Sequence, residues 1–293
     1  MKNLNVKKVV STGLVLFITC LCFQAFSQRK SDAKVPKGSY KLEYKYLTDK
    51  FIQYVNKTKM TQDLDFNGQS MLVYVNSFLK CGIKASGKNG ENLKLIIRID
   101  SMKQDIDSPQ GMSGGDVTDA MGKEFELEVS TSGKITDLSG AAKLVLNLPT
   151  GSESDASESF IEFFPVLPTE VVKKGDTWVT NDTIKINGKN STRWMPVKSE
   201  CIFEGIEKVN GMKCAKISVT ISGTMKMVNQ AQGMEITVTG DYTGTKILLF
   251  AIKEGFFISE TSKTKMKGSV DIPDQGMTLP VVIDIDAITE MVK

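Results

Sequence analysis

The stretch Phe163-Phe164-Pro165-Val166-Leu167-Pro168-Thr169-Glu170-Val171-Val172-Lys173-Lys174-Gly175-Asp176-Thr177-Trp178 divides the chain near its middle. Pro165 and Pro168 each lack an amide hydrogen and fix φ near about −65°, so this stretch belongs to neither a central strand nor a helix interior. Lys173 to Asp176 reads as a turn: Gly175 is free to take a positive φ, and Asp176 can bond the backbone beyond it. Thr177-Trp178-Val179 then opens a strand. An indole carries a large apolar area and an N–H that needs a partner, which suits a junction. Pro165, Pro168, Gly175, Asp176 and Trp178 are therefore expected to be structural. Residues 151–174 are expected to form a short helix and a Pro-rich hinge.

On either side the chain alternates apolar and polar residues at period two, the signature of half-buried strands. Leu42, Tyr44 and Tyr46 alternate with Lys41, Glu43 and Lys45. Phe51 to Phe66 and Ser70 to Lys80 read as strands joined at Asn67-Gly68, a strong hairpin dipeptide. Lys88 to Glu91 forms the next turn, and Leu93, Leu95, Ile97 and Ile99 alternate after it. Ser108 to Gly122 is rich in Gly, Ser and Asp and reads as a mobile loop. Ala141 to Leu148 suits a helix or a strand, and Asp155 with Glu158 resembles a capping box for a helix ending at the hinge. Beyond the hinge, Ala215 to Ile221 and Met234 to Val238 alternate again. Ile247 to Ile252 is a continuous apolar run, which predicts a strand covered on both faces. Met266 to Ile272 and Leu279 to Ile285 complete the series.

The pattern LPxxxVxxGDTW, read from Leu167 to Trp178, resembles that of an uncharacterised family of secreted β-rich proteins of Gram-negative bacteria. The resemblance implies a strand-rich layout over most of the mature chain. It implies no activity and no catalytic residues.

The two halves share anchors at similar spacing. Cys81 and Cys201 are 120 positions apart, and Gly122 and Gly244, like Gly133 and Gly255, are 122 apart. The expected fold is mainly β: two similar curved antiparallel sheets, an internal duplication, with at most one or two short helices. The first repeat is placed at 38–150 and the second at 175–293. Two such sheets must cover each other's apolar faces.

Residues 1–27 read as a signal peptide. Lys2, Lys7 and Lys8 precede an apolar run from Val9 to Phe23, which is short for a membrane span. Ala25 and Ser27 are small residues at −3 and −1, so cleavage is expected before Gln28. Cys20 and Cys22 raise a lipoprotein alternative, but although Thr19 before Cys20 is tolerable, Leu21 before Cys22 is not, and the −3 residues Phe17 and Thr19 fit a lipobox poorly. Residues 28–37 read as a disordered linker. The expected destination is the periplasm or the exterior, with no transmembrane segment left after cleavage.

Removing the three leader lysines from 37 basic residues leaves 34, equal to the 34 acidic ones. No excess positive charge remains to drive nucleic-acid binding. The chain has no histidine, which excludes Ser-His-Asp, Cys-His and histidine-zinc arrangements. No cysteine pair has metal-site spacing, so neither a metal nor a cofactor is expected. Cys81, Cys201 and Cys214 are expected to stay unpaired. Pairing about Asn210-Gly211 puts Cys214 opposite residue 207 and Cys201 near residue 220, too far apart to bridge. Asp284 with Asp286, and Asp105 with Asp107, share strand faces and could bind Ca²⁺ or serve acid–base work; a solvated face is the simpler reading.

Methionines gather near the glycine-rich turns, and methionine adapts to irregular apolar contacts. Met112, Met234 and Met277 are expected at the rim of a ligand cleft. The functional expectation is a non-enzymatic exported binding or carrier protein for an apolar small molecule or lipid. The alternative is an envelope assembly module that binds other envelope proteins through sheet edges. A carboxylate-dependent hydrolase is a third.

Overall fold

Asn67 and Gly68 carry φ of 55° and 83°, the left-handed pair that a two-residue hairpin turn needs. They join β2 (Ile52–Phe66) to β3 (Gln69–Asn89) with the register running from Phe66↔Gln69 to Ile52↔Ile83. The computed structural model describes residues 36–46, 50–149, 153–187, 191–231 and 234–292, with the backbone alone at 230, 231 and 234. The leader assigned to 1–27 and most of the linker assigned to 28–37 lie outside the described residues.

The remaining long strands follow as hairpins: β4 (Asn92–Ser108), β12 (Ser191–Val209), β13 (Met212–Ala231), β14 (Met234–Ala251), β15 (Phe256–Ile272) and β16 (Met277–Val292). Shorter strands β5 (Gly111–Asp116), β6 (Glu124–Val129), β7 (Ile135–Asp137) and β11 (Thr177–Asn187) complete one 12-stranded antiparallel sheet. Its order is β11-β12-β13-β14-β15-β16-β2-β3-β4-β6-β7, with β5 beside β4. The mainly β class therefore holds, with two four-residue α-helices among the described residues, α1 (Ser139–Ala142) and α2 (Ser157–Phe160). The expected separation into two sheets does not. β16 pairs β2 from Val281↔Leu64 to Val292↔Gln53, so the last strand welds the halves edge to edge. Cys81 lies in β3 and Cys201 in β12.

The sheet does not close. Its path ends at β7 and β11, yet it curls far enough for Lys134, just before β7, to reach Asp182 of β11 at 3.2 Å. The hinge lies inside this curl. Phe163, Phe164 and Leu167 are buried, and Leu167 N donates to Ser132 O at 2.8 Å. At Lys173–Asp176 the expected turn is present: Gly175 has φ 90°, and Lys173 N donates to an Asp176 carboxylate oxygen at 2.9 Å. Trp178 sits half-buried against the main core.

Several local expectations are corrected. Leu42, Tyr44 and Tyr46 are buried, but they belong to no sheet. Only β1 (Ser39–Tyr40) pairs, with β10 (Val172–Lys173). Segment 41–46 crosses the end of the curl instead: Tyr44 N donates to Thr131 O and Lys45 N to Gly255 O, both at 2.8 Å. Gly133 and Gly255, with φ of 90° and 75°, make the turns that receive it. An added Cβ would lie 2.5 Å from Tyr44 at the first and 2.5 Å from Lys45 at the second, so glycine is required twice over. The expected loop at Ser108–Gly122 is largely a strand and a short turn, because Gly111 to Asp116 pairs back onto Lys103–Ser108. Ala141 to Leu148 divides between the end of α1 and a short β8 (Val145–Asn147). Asp155 bonds Ser157 N at 2.9 Å rather than forming a capping box with Glu158. Ile247 is 44% exposed, since this part of β14 has one face on solvent.

Cys81, Cys201 and Cys214 are free and buried. Cys214 pairs with Glu207, as expected, and Cys201 with Val219. The shift from residue 220 comes from a bulge between Phe203 and Gly205.

Candidate functional site

Alternation along each long strand sends every second side chain into the curl. At one end these side chains meet the hinge. Phe250 packs against Tyr44 with ring centroids 5.1 Å apart, and Tyr54 stacks on Phe257 at 4.6 Å. Phe163 fills the space between Phe160 and Phe257 at 5.2 and 5.9 Å. The polar tips are satisfied by carbonyls: Tyr44 donates to Pro165 O and Tyr54 to Phe257 O, both at 2.8 Å.

Farther along the same strands the filling stops. A cavity of about 1790 Å³ opens between the inner sheet face and the segment carrying α2 and the hinge. Its volume exceeds the roughly 300–1,000 Å³ of ordinary small-molecule sites. Met60, Met102, Met195, Met225, Met227 and Met266 line it. Ile221, Ile283 and Ile285 stand among them, and Ile161 and Phe163 face them from the hinge side. Six flexible thioethers give a wall that can repack around varied apolar shapes.

Polar side chains such as Asn56, Thr58, Gln62 and Thr264 are interspersed through this wall, and charged groups stand at inward strand positions at two levels. Lys246 of β14 faces Glu260 of β15 at 3.6 Å. The negative charge of Glu260 raises the ammonium pKa, burial opposes that shift, and Glu162 beyond α2 supports it. Tyr242, two turns of the pleat away, donates to Pro196 O at 3.0 Å. Its ring crosses Gly223, its register partner in β13, where an added Cβ would lie 2.8 Å from the phenolic oxygen. Burial, with Glu162 nearby, pushes the Tyr242 hydroxyl up to about 12. The second polar level is Arg193 of β12, which lines the cavity beside Met195 and Met227.

Of the methionines expected at a rim, Met112 is 80% exposed on β5. Met277 is half-buried at the start of β16. Neither is among the residues lining the cavity. Met234 begins β14, but its side chain lies outside the described residues. Pro165, Pro168, Gly175, Asp176 and Trp178 all border the cavity as part of its hinge-side wall. Asp284 and Asp286 face solvent, opposite Lys265 at 3.1 Å and Lys263 at 3.9 Å. Asp105 pairs with Lys103 at 2.8 Å. Among the described residues, no cluster of three metal-binding side chains is present. Nor is any described helix long and apolar enough to cross a membrane.

Glu158, Glu162 and Glu260 are among the carboxylates that line the cavity, with Asp137, Asp155, Glu170, Asp176 and Asp182. Strand parity alone identifies Glu260, Lys246 and Arg193, each a charge at an inward position.

No family model and no curated protein matches the sequence. Among solved structures, the chain is similar to a protein of Bacteroides fragilis with a YmcC-like fold, provisionally described as exported. That likeness has 7% identity and a TM-score of 0.25, over 85% of this chain and 97% of the other. A DUF1329 family protein of Desulfovibrio piger matches with 11% identity and a TM-score of 0.15, over 81% of this chain and 85% of the other. At these values neither likeness carries an argument about this chain.

Proposed function

We propose that this chain is a non-enzymatic exported binding or carrier protein that holds an apolar or lipid-like ligand inside the curled sheet. The observation that supports this reading is the methionine-lined cavity of about 1790 Å³. A sheet of this length could have packed its whole inner face with its own side chains, as it does at the aromatic end. Six thioethers within the lining instead suit an occupant of variable shape. Two pairs of charged groups in the wall compensate each other, Lys134 with Asp182 and Lys246 with Glu260. The leader at residues 1–27 supports export.

The test is binding of a fluorescent apolar probe. The protein should bind it with enhanced emission, and replacing Met225 and Met227 by Trp should weaken binding by about tenfold, or about 1.4 kcal/mol. Unchanged binding by a folded Met225→Trp, Met227→Trp variant would place the probe elsewhere and reject the reading.

A second reading rests on β11. This eleven-residue strand ends the sheet with no strand on its outer side among the described residues, and an exposed edge can accept a strand from an envelope protein. Under that reading, Val179→Pro would abolish capture of a partner while leaving probe binding intact.

A further inference from the structure

Arg193 is a cavity cation with a buried donor, its Nε, that has no hydrogen-bond partner. The contact given to its guanidinium is Nη2 to the Met227 sulfur at 3.9 Å, and a thioether is a weak acceptor. Among the described residues no carboxylate pairs with it. Glu158 of α2 accepts from Ser191 at 3.2 Å. Lys134 is paired with Asp182, Lys103 with Asp105, and Lys246 with Glu260. A guanidinium stays charged at any physiological pH, presents donors in a planar fork, and is costly to bury unpaired.

The surroundings add direction. Arg193 stands at an inward position of β12, eight residues from Cys201, which is about 26 Å at ~3.3 Å per residue. Between them the inward positions are Met195, Val197 and Ser199, and β13 supplies Val219, Ile221, Met225 and Met227 alongside. A mainly apolar track thus runs from the packed aromatic end to a guanidinium whose Nε is unsatisfied.

We infer that Arg193 receives the anionic head of the ligand, and that the ligand class is an amphiphile with an alkyl tail and a carboxylate or phosphate head. This inference rests on the carrier reading and narrows it. The fork matches either head bidentately, and a water-poor wall strengthens the charge-assisted bonds. The tail lies along the methionines toward the hinge.

The experiment compares four probes of equal tail: dodecanoate, dodecyl phosphate, dodecanol and dodecyltrimethylammonium. Each is titrated below its aggregation concentration into protein stripped of bound lipid. Wild type should bind the two anions at least ~10-fold more tightly than the alcohol, and the preference should shrink with added salt. The two anions together distinguish a carboxylate from a phosphate source. Arg193→Met should lose the preference while keeping the alcohol affinity, and Arg193→Lys should retain part of it. Equal binding of anions and alcohol by wild type, preference for the cation, or an unchanged preference in Arg193→Met would overturn the inference and leave the carrier reading standing. Failure of all four probes to bind would overturn both. The wild-type salt series and Arg193→Lys keep the test decisive if Arg193→Met is unstable.

Discussion

On the inner face of β14, Phe250 touches Tyr44 across 5.1 Å. Eight positions earlier on the same face, Tyr242 borders open cavity. The strands, the pleat and the parity are the same at both points. What differs is the second layer. At the aromatic end, segment 41–46 and the hinge are pressed into the curl and tied by backbone bonds to Thr131, Ser132 and Gly255. At the methionine end, α2 and the hinge face the sheet across the cavity without filling it. A sheet alone leaves one apolar face to be covered; one end is finished by the chain itself, and under the proposed carrier function a ligand finishes the other. Rigid, quadrupolar rings suit the first task and adaptable thioethers the second.

The comparison can be sharpened by truncation. Phe257 is fully buried against Tyr54 and Phe163, so Phe257→Ala should cost about 3–5 kcal/mol in denaturant unfolding. Met227→Ala, which enlarges an existing cavity rather than creating a sealed void, should cost about 1 kcal/mol. Equal losses would mean that both ends are packed alike.

Glycine turns offer a finer contrast. Gly255→Ala at the aromatic end combines a positive φ with collision against Lys45 and should cost about 2–3 kcal/mol. Gly276, at the opposite end of the sheet, has φ 60° and nothing within 4 Å of an added Cβ. Gly276→Ala should therefore cost only about 1 kcal/mol. A reversed order in thermal unfolding would contradict the role given to segment 41–46.

The smallest effect concerns the thiols. Burial raises the pKa of Cys81, Cys201 and Cys214, with Cys201 pushed up to about 11. A folded pKa above the unfolded thiol value of about 8.5 means that the folded chain holds the proton longer. The associated stability is complete below about pH 8.5 and is lost as pH rises toward about 11. Melting temperature should fall across that window, and Cys201→Ala should flatten the fall. At pH 8, alkylation should label no thiol in the native protein and three after denaturation without reductant. One label after denaturation would reveal a disulfide.

Much of the fold was legible in the residues. Period-two alternation and the Asn67-Gly68 turn define the long hairpins, and the partner of Cys214 follows from counting outward from Asn210-Gly211. The count fails by one at Cys201 because the bulge at Gly205 inserts a residue that no local pattern announces. The single sheet was hidden because pairing between β16 and β2 joins residues more than two hundred positions apart, and nothing local encodes that contact. Leu42, Tyr44 and Tyr46 alternate as a strand does, yet they are drawn out of any sheet by the two glycine turns that hold them.

The candidate site was legible in a different way. Proximity of Met112 and Met277 to glycine turns directed attention to the ends of strands, whereas the cavity lies along their inner faces. Parity is the better signal. Met225 and Met227 continue the inward series of Ile217, Val219 and Ile221. Arg193 shares its parity with Met195 and Val197, and Lys246 with Leu248 and Phe250. A charge at an apolar parity marks a polar group facing the interior, and periodicity read only for fold passes over it.

The central claim is that the methionine end is completed by a ligand. Native mass spectrometry of the protein purified from its own envelope, followed by solvent extraction, tests it most directly. The account predicts an adduct that organic solvent removes, identified as an amphiphile, and its loss in the Met225→Trp, Met227→Trp variant. A bare polypeptide mass for wild type, with no lipid in the extract, would contradict it.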